Sequence, residues 1–261
     1  MIRGLYTAGA GMGVELARMD VLANNLVNAS TNGYKKDKVV QTAFFRLLLL
    51  QSRGELPGSL SPGWVPLGNS NQGAAVTRSV TDFSTGPMVK TDIFSHLALG
   101  NRNCFFVLSS PTPEDPRRVV YTRDGAFTLD AGGYLVNSRG ERVLGEGGPL
   151  LVEGERFSVS GEGVLFSPGG DELGRLRVVE FADPAVLRKA GNNCFTAPPG
   201  ADLPAANPDV RQGFLERSNV DLAAEMVDVV SCTRAYEANA RILQAHDDLL
   251  GLAINKVGTL K

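Results

Sequence analysis

Both ends of this 261-residue chain repeat apolar residues every seven positions, and the long stretch between them does not. Leu5, Met12, Met19 and Leu26 form one such row, with Ile2, Gly9, Leu16 and Ala23 three residues ahead of each. Near the other end, Leu222, Val229, Tyr236, Leu243, Leu250 and Val257 repeat the spacing beside a second row of Met226, Thr233, Ala240, Asp247 and Ile254. A seven-residue apolar repeat is the seam of a helix that packs along another helix. Each end has a stripe to bury, and the middle offers almost no helical pattern to receive it. The two ends are therefore expected to pair with each other and with copies of themselves in neighbouring subunits. That is the pattern of an assembly protein rather than an enzyme.

Residues 2–28 read as one helix about 40 Å long. Gly4, Gly9, Gly11 and Gly13 lie within it, and each interior glycine costs roughly 1 kcal/mol of helix stability. The segment is a poor helix alone, so the ends are expected to be frayed in a free monomer and to become helical on polymerisation. The run Asn28 to Gly33 should stop this helix. The second helix is expected from Ser218, as N-cap with Asp221 three residues on, to about Gly258.

Between them, residues 34–90 read as extended and irregular. Lys35, Lys36 and Lys38 look like a solvated basic face. The run Phe44 to Leu50, with four consecutive leucines, is either local core or a subunit contact. Residues 91–200 read as β. Phe105 to Leu108 is a buried-strand run, and Leu176 to Phe181 is another strand. Val119 to Thr122 and Phe127 to Leu129 flank Arg123-Asp124-Gly125-Ala126 as a hairpin signal. Asp130 to Gly133 and Asn137 to Gly140 are further turns. Short strands at this spacing indicate an antiparallel sheet or open barrel, and the lack of β-α alternation excludes a doubly wound nucleotide fold. Residues 201–217 read as a return strand or linker. The expected fold class is α+β, with a discontinuous coiled-coil domain built from segments 1–33 and 218–261 around a central antiparallel all-β domain.

Composition narrows the function. The chain is 43% apolar and 21% charged, with a formal charge of −2, so it should fold, and it has no basic block to suit nucleic acid. Cys104, Cys194 and Cys232 are widely spaced and odd in number, which reads as small buried residues rather than a disulfide framework. Two histidines make a His-based metal site improbable. The N-terminus is interrupted by Glu15, Arg18 and Asp20 and does not read as a cleaved secretory signal. No run is long enough to span a bilayer. Gly9-x-Gly11-x-Gly13 lacks both the spacing and the preceding strand of a phosphate loop. Asp247-Asp248 reads as a solvated helix face. No catalytic, metal or cofactor constellation emerges. A β module that binds cell-wall glycan is the other class considered, with Trp64, Tyr121 and Tyr134 as stacking candidates.

Three motifs sharpen the assembly reading. They are Asn24-Asn25-Leu26-Val27-Asn28-Ala29 with Thr31-Asn32-Gly33-Tyr34-Lys35; Tyr121-Thr122-Arg123-Asp124-Gly125-Ala126-Phe127 with Leu135-Val136-Asn137; and Gln212-Gly213, Leu215-Glu216, Ser218-Asn219-Val220-Asp221, Glu225-Met226 and Arg234-Ala235-Tyr236-Glu237. In this order they resemble the axial proteins of the bacterial flagellum, specifically the rod proteins of the basal body. Asn103-Cys104 departs from the family's usual glycine pair, and Thr233 stands where glutamine is common. The resemblance implies a tube whose inner layers are terminal helices, with the β domain outside. It implies self-association, contact with other rod and hook axial proteins, and passage through the flagellar type III export apparatus without a cleaved signal. Surrounding ring proteins are a further candidate partner, and the place implied is the extracytoplasmic rod, leaning to its proximal section, with the distal rod or hook as the alternative. The residues expected at the assembly interface are Leu5, Met12, Leu16, Met19, Asn24, Asn25, Leu26, Leu222, Met226, Val229, Arg234, Tyr236, Leu243 and Leu250.

Overall fold

A computed structural model describes residues 2–43, 46–53, 63–71, 73–111, 118–152, 156–205 and 207–257. Phe44 and Phe45 of the apolar run, and the side chains of its four leucines, lie outside what is described. The chain divides into two compact units. One comprises Met1–Asn24, Asp37–Val80 and Ala223–Lys261, and the other Asn25–Lys36 and Thr81–Leu222.

The first unit contains two long helices and a ribbon. Helix α1 spans Ile2–Val27 and helix α2 spans Leu222–Val257. The second starts four residues later than expected. Ser218 Oγ accepts from the Val220 amide at 3.3 Å in the turn ahead of the helix, and Asp221 holds the position directly before it. The helices run antiparallel: Gly4 lies against His246, Gly11 against Asn239, Glu15 against Cys232 and Arg18 against Asp228. Both segments are thus helical. Glycine is costly to the isolated helix, but here it admits a partner. A Cβ on Gly4 would strike the His246 ring, and one on Gly11 would come within 3.0 Å of the Asn239 amide.

The segment expected to be irregular from 37 to 80 holds nested strand pairs. Asp37–Ala43 pairs with Ala74–Thr81, where Thr42 and Thr77 hydroxyls meet at 2.6 Å. Arg46–Arg53 pairs antiparallel with Gly63–Asn71. The ribbon leans on α1 at Gly73, whose φ of +119° suits glycine and whose missing Cβ leaves room for Ala10.

The second unit is the β body. Among the described residues its main sheet has ten strands, with antiparallel pairing throughout the registers observed. Cys104–Ser109 is its axis. It pairs with Val119–Thr122 along one edge, and with Val178–Glu180 and Arg142–Gly145 in succession along the other. The strand is apolar from Cys104 to Leu108 because both faces are covered there. Cys104, Phe106 and Leu108 enter one core cluster, while Phe105 and Val107 enter a second with Phe83, Phe181 and Phe195. Alternate residues point to opposite faces, so two cores demand an unbroken apolar run.

The turns at Asp130–Gly133 and Asn137–Gly140 join neighbouring antiparallel strands. The Arg123–Ala126 hairpin does not form. Val119–Thr122 pairs with Cys104–Ser109 and Cys194–Thr196, whereas Thr128–Leu129 pairs with Leu135–Val136. Residues 123–126 are instead a corner leading from one part of the sheet to another. Thr122 Oγ1 accepts from the Asp124 amide and Asp124 Oδ1 from the Ala126 amide, each at 3.0 Å. This side-chain-made turn reads locally like a hairpin. Two short pairs, Leu97–Leu99 with Val210–Gln212 and Met88–Lys90 with Phe214–Glu216, return the chain toward α2.

Replacing Gly4 with Leu should drive a side chain into His246 and lower the stability of the helix pair by about 1–3 kcal/mol, read as an earlier thermal transition in the helical circular-dichroism band.

Candidate functional site: a buried ionic clasp and an outward apolar helix surface

In the β body, three segments far apart in sequence meet at one carboxylate. Glu216 lies on the last short strand and is 2% exposed; Lys35 and Arg123 beside it are each 1% exposed. Glu216 Oε1 accepts from Lys35 Nζ at 2.6 Å and from the Gly86 amide at 2.9 Å. Glu216 Oε2 accepts from Arg123 Nε at 2.8 Å. The remaining donors are also used. Lys35 Nζ donates to the Ser84 carbonyl at 2.7 Å, and Arg123 Nη1 donates to the carbonyls of Asn101 and Cys104 at 2.7 and 2.6 Å. Buried charge is tolerable only when paired and hydrogen-bonded in this way. Lys35 is therefore not part of a solvated basic face. Among its two neighbours in that cluster, Lys36 is half-buried and Lys38 exposed.

Glycine brings the backbones close enough for the clasp. Gly33 has φ +66°, and a Cβ there would strike the Arg123–Asp124 peptide. Its amide donates to the Glu216 carbonyl at 2.7 Å. A Cβ on Gly125 would strike the Leu97 carbonyl. Around the clasp, Tyr34 Oη donates to buried Asn25 Oδ1 at 3.2 Å, and Asn219 Nδ2 donates to the Asp82 carbonyl at 2.8 Å. The motifs quoted from the sequence thus converge here, and their charged members, Lys35, Arg123 and Glu216, had no expected role. Each lies two or three residues from a glycine, Lys35 from Gly33, Arg123 from Gly125 and Glu216 from Gly213.

Burial, the largest influence, pushes the Lys35 ammonium below the ordinary lysine pKa; Glu216 raises it and Arg123 lowers it further. The three thiols are free and buried. Burial pushes Cys104 and Cys232 up to about 11 and Cys194 up to about 12.

In the helical unit, small and polar residues meet between α1 and α2. Cys232 Sγ donates to Glu15 Oε2 at 3.1 Å, and Arg18 Nη2 lies 3.5 Å from Asp228 Oδ1. His246 Nδ1 is buried with no hydrogen-bond partner among the described residues. Several large apolar residues of the two helices are uncovered. Leu16 is 52% exposed, Met226 50%, Val227 70% and Ile254 71%. Of the expected interface residues, Leu222 and Arg234 are also exposed, whereas Leu5, Met12, Met19, Leu26, Val229, Tyr236, Leu243 and Leu250 are half-buried. Asn24 is exposed and Asn25 is buried in the β body. Thr233, off the family pattern, donates back to the Val229 carbonyl at 2.9 Å.

The glycan-stacking candidates fare differently. Tyr121 is buried in the second core cluster, and the Arg142 guanidinium sits 4.1 Å over the Tyr134 ring. The Trp64 side chain lies outside what is described. No group of three His, Cys, Asp or Glu residues is placed to hold a metal among the described residues. No helix among them is long and apolar enough to cross a membrane.

The chain thus combines a pair of terminal helices carrying exposed apolar side chains with an antiparallel β body. Three family models match: "Flagella basal body rod protein" over residues 5–35, "Flagellar hook protein FlgE/F/G D1 domain" over 101–167, and "Flagellar basal body rod FlgEFG protein C-terminal" over 211–256. The flagellar basal-body rod protein FlgG of Borreliella burgdorferi is 32% identical over 98% of both chains. The flagellar hook-basal body complex protein FlhO of Bacillus subtilis is 28% identical over the whole of both. The flagellar basal-body rod protein FlgF of Caulobacter vibrioides is 28% identical over 93% of this chain and 92% of its own. The chain belongs to the flagellar basal-body rod protein family and is a structural subunit of that rod.

Replacing Glu216 with Gln would leave two buried cations without their anion and should lower the unfolding free energy by about 3–5 kcal/mol, measured by urea denaturation. Because the folded pKa of Lys35 lies below 10.5, the unfolded chain binds more protons in the interval between, and stability rises with pH there. The urea midpoint of the native chain should therefore gain on that of Lys35→Met as pH climbs from neutral toward 10.5.

Proposed function

We propose that this subunit polymerises by packing its terminal helices as coiled coils with those of neighbouring copies and other rod or hook axial proteins, so that the rod transmits torque. The observation that carries this is the exposure of Leu16, Leu222, Met226, Val227 and Ile254 on the two helices. Apolar burial is worth roughly 1.5–3 kcal/mol per large side chain, and a lone chain leaves most of that unused on these faces. The expected interface residues, Leu5, Met12, Leu16, Met19, Asn24, Asn25, Leu26, Leu222, Met226, Val229, Arg234, Tyr236, Leu243 and Leu250, are assigned to that packing. Asn25 acts indirectly, through Tyr34. Export by the flagellar type III apparatus without a cleaved leader, and residence in the extracytoplasmic rod within its surrounding rings, complete the reading.

In a flagellated strain lacking this chain, Leu243→Asp should fail to restore rods and motility, while the purified variant keeps the β-body unfolding transition of the native protein. Normal rods from the variant would refute the packing.

A further inference from the structure

The chain contains a single Asn-Gly pair, Asn32-Gly33, and it borders the ionic clasp. In an open chain such a pair is chemically weak, because glycine has no side chain to keep its amide nitrogen away from the preceding side-chain amide. In the folded β body the peptide that joins the two residues is gripped from both sides. The Gly33 amide donates to the Glu216 carbonyl at 2.7 Å, and Asn193 Nδ2 donates to the Asn32 carbonyl at 2.6 Å. Asn32 is half-buried, whereas Gly33, Tyr34 and Lys35 are buried.

We infer that Asn32 is a deamidation site governed by the clasp, inert while the clasp is closed and, once it stays open, converted in part to an isoaspartate that prevents closure. In the first step the Gly33 nitrogen gives up its proton and bonds to Asn32 Cγ. The Cγ–Nδ2 bond breaks, and the departing amide nitrogen takes that proton and leaves as ammonia. Water then opens the five-membered imide at either carbonyl. Opening at Cγ gives aspartate on an ordinary backbone, and opening at the main-chain carbonyl gives isoaspartate, whose backbone runs through Cβ and Cγ. The fold blocks the first step, because the nitrogen that must attack is committed to the Glu216 carbonyl. Turning the peptide toward the Asn32 side chain would break both of its hydrogen bonds and leave a donor and an acceptor unsatisfied. Isoaspartate in turn blocks the fold. Its extra main-chain atom falls directly before Gly33, where even a Cβ would strike the Arg123–Asp124 peptide. It also shifts Lys35, two residues on, whose Nζ must come within 2.6 Å of Glu216 Oε1. Aspartate changes neither. A chain held unfolded is thus progressively lost to folding, whereas a folded subunit keeps its amide.

The test follows the tryptic peptide from Met19 to Lys35 by mass spectrometry during incubation of the full-length chain in mildly alkaline buffer, with the site located by fragmentation. Asn32 should deamidate at least roughly tenfold more slowly in the folded chain than in urea, since the reaction needs a local opening. Asn193→Gly removes the side-chain donor and suits the φ of +60° at that position. It should speed the folded-state reaction about three- to tenfold, the effect of losing one hydrogen bond, with little change in the urea midpoint. If that variant unfolds early, hydrogen exchange of the Gly33 amide in the native chain replaces it, and protection there should match the slowing of deamidation. Equal rates in folded and unfolded chains, an Asn193→Gly chain as inert as the native one, or exchange protection unrelated to the deamidation rate would overturn the inference. After ageing in urea and refolding, the folded fraction from size exclusion should hold aspartate but no isoaspartate at position 32, the latter detected by enzymatic methylation. Asn32→Asp should fold with the native urea midpoint. Isoaspartate equally abundant in the folded fraction, or an Asn32→Asp chain that fails to fold, would sink the proposed block on closure.

Discussion

The Glu216 carboxylate is the fixed point of the β body. It receives Lys35 from the segment that follows α1, Arg123 from the corner of the main sheet, and the Gly86 amide from the strand-leading loop. Lys35 and Glu216 stand 181 residues apart in sequence. Closing so long a loop has an entropic cost that grows only slowly with length, but the charges involved lose their hydration entirely. A partly made clasp is therefore worse than none, and a complete one tolerates few alternatives. The strand pairs Phe214–Glu216 with Met88–Lys90 and Val210–Gln212 with Leu97–Leu99 place the third partner where the first two can reach it.

The helical unit follows the opposite strategy. Its helices meet at Gly4, Gly11, Glu15, Asn239, Cys232 and His246, residues that allow close approach and a few directional contacts, and Ala8, Val14 and Leu22 of α1 are buried as well. The exposed Arg18–Asp228 pair adds little, as exposed ion pairs do.

Much of this was legible in the sequence. The heptad rows located both helices, and the run Phe105 to Leu108 announced a buried strand. The degree of cover along each row was not legible: Leu5, Met12, Met19, Leu26, Val229, Tyr236, Leu243 and Leu250 are half-buried, whereas Leu16, Leu222 and Met226 are exposed. Lys35 was misread for a related reason. A lysine among lysines looks solvated, and only the distant Glu216 explains its burial. Arg123-Asp124-Gly125 looked like a hairpin because its turn chemistry is local, whereas the destination of the strand after it is decided by the sheet.

The buried thiols have a chemical corollary. Cysteine reacts as its thiolate, and burial holds Cys104, Cys194 and Cys232 so far above neutrality that this form is scarcely populated. The covalent skeleton of the folded subunit is accordingly indifferent to whether its surroundings are reducing or oxidising, and its architecture owes nothing to sulfur cross-links.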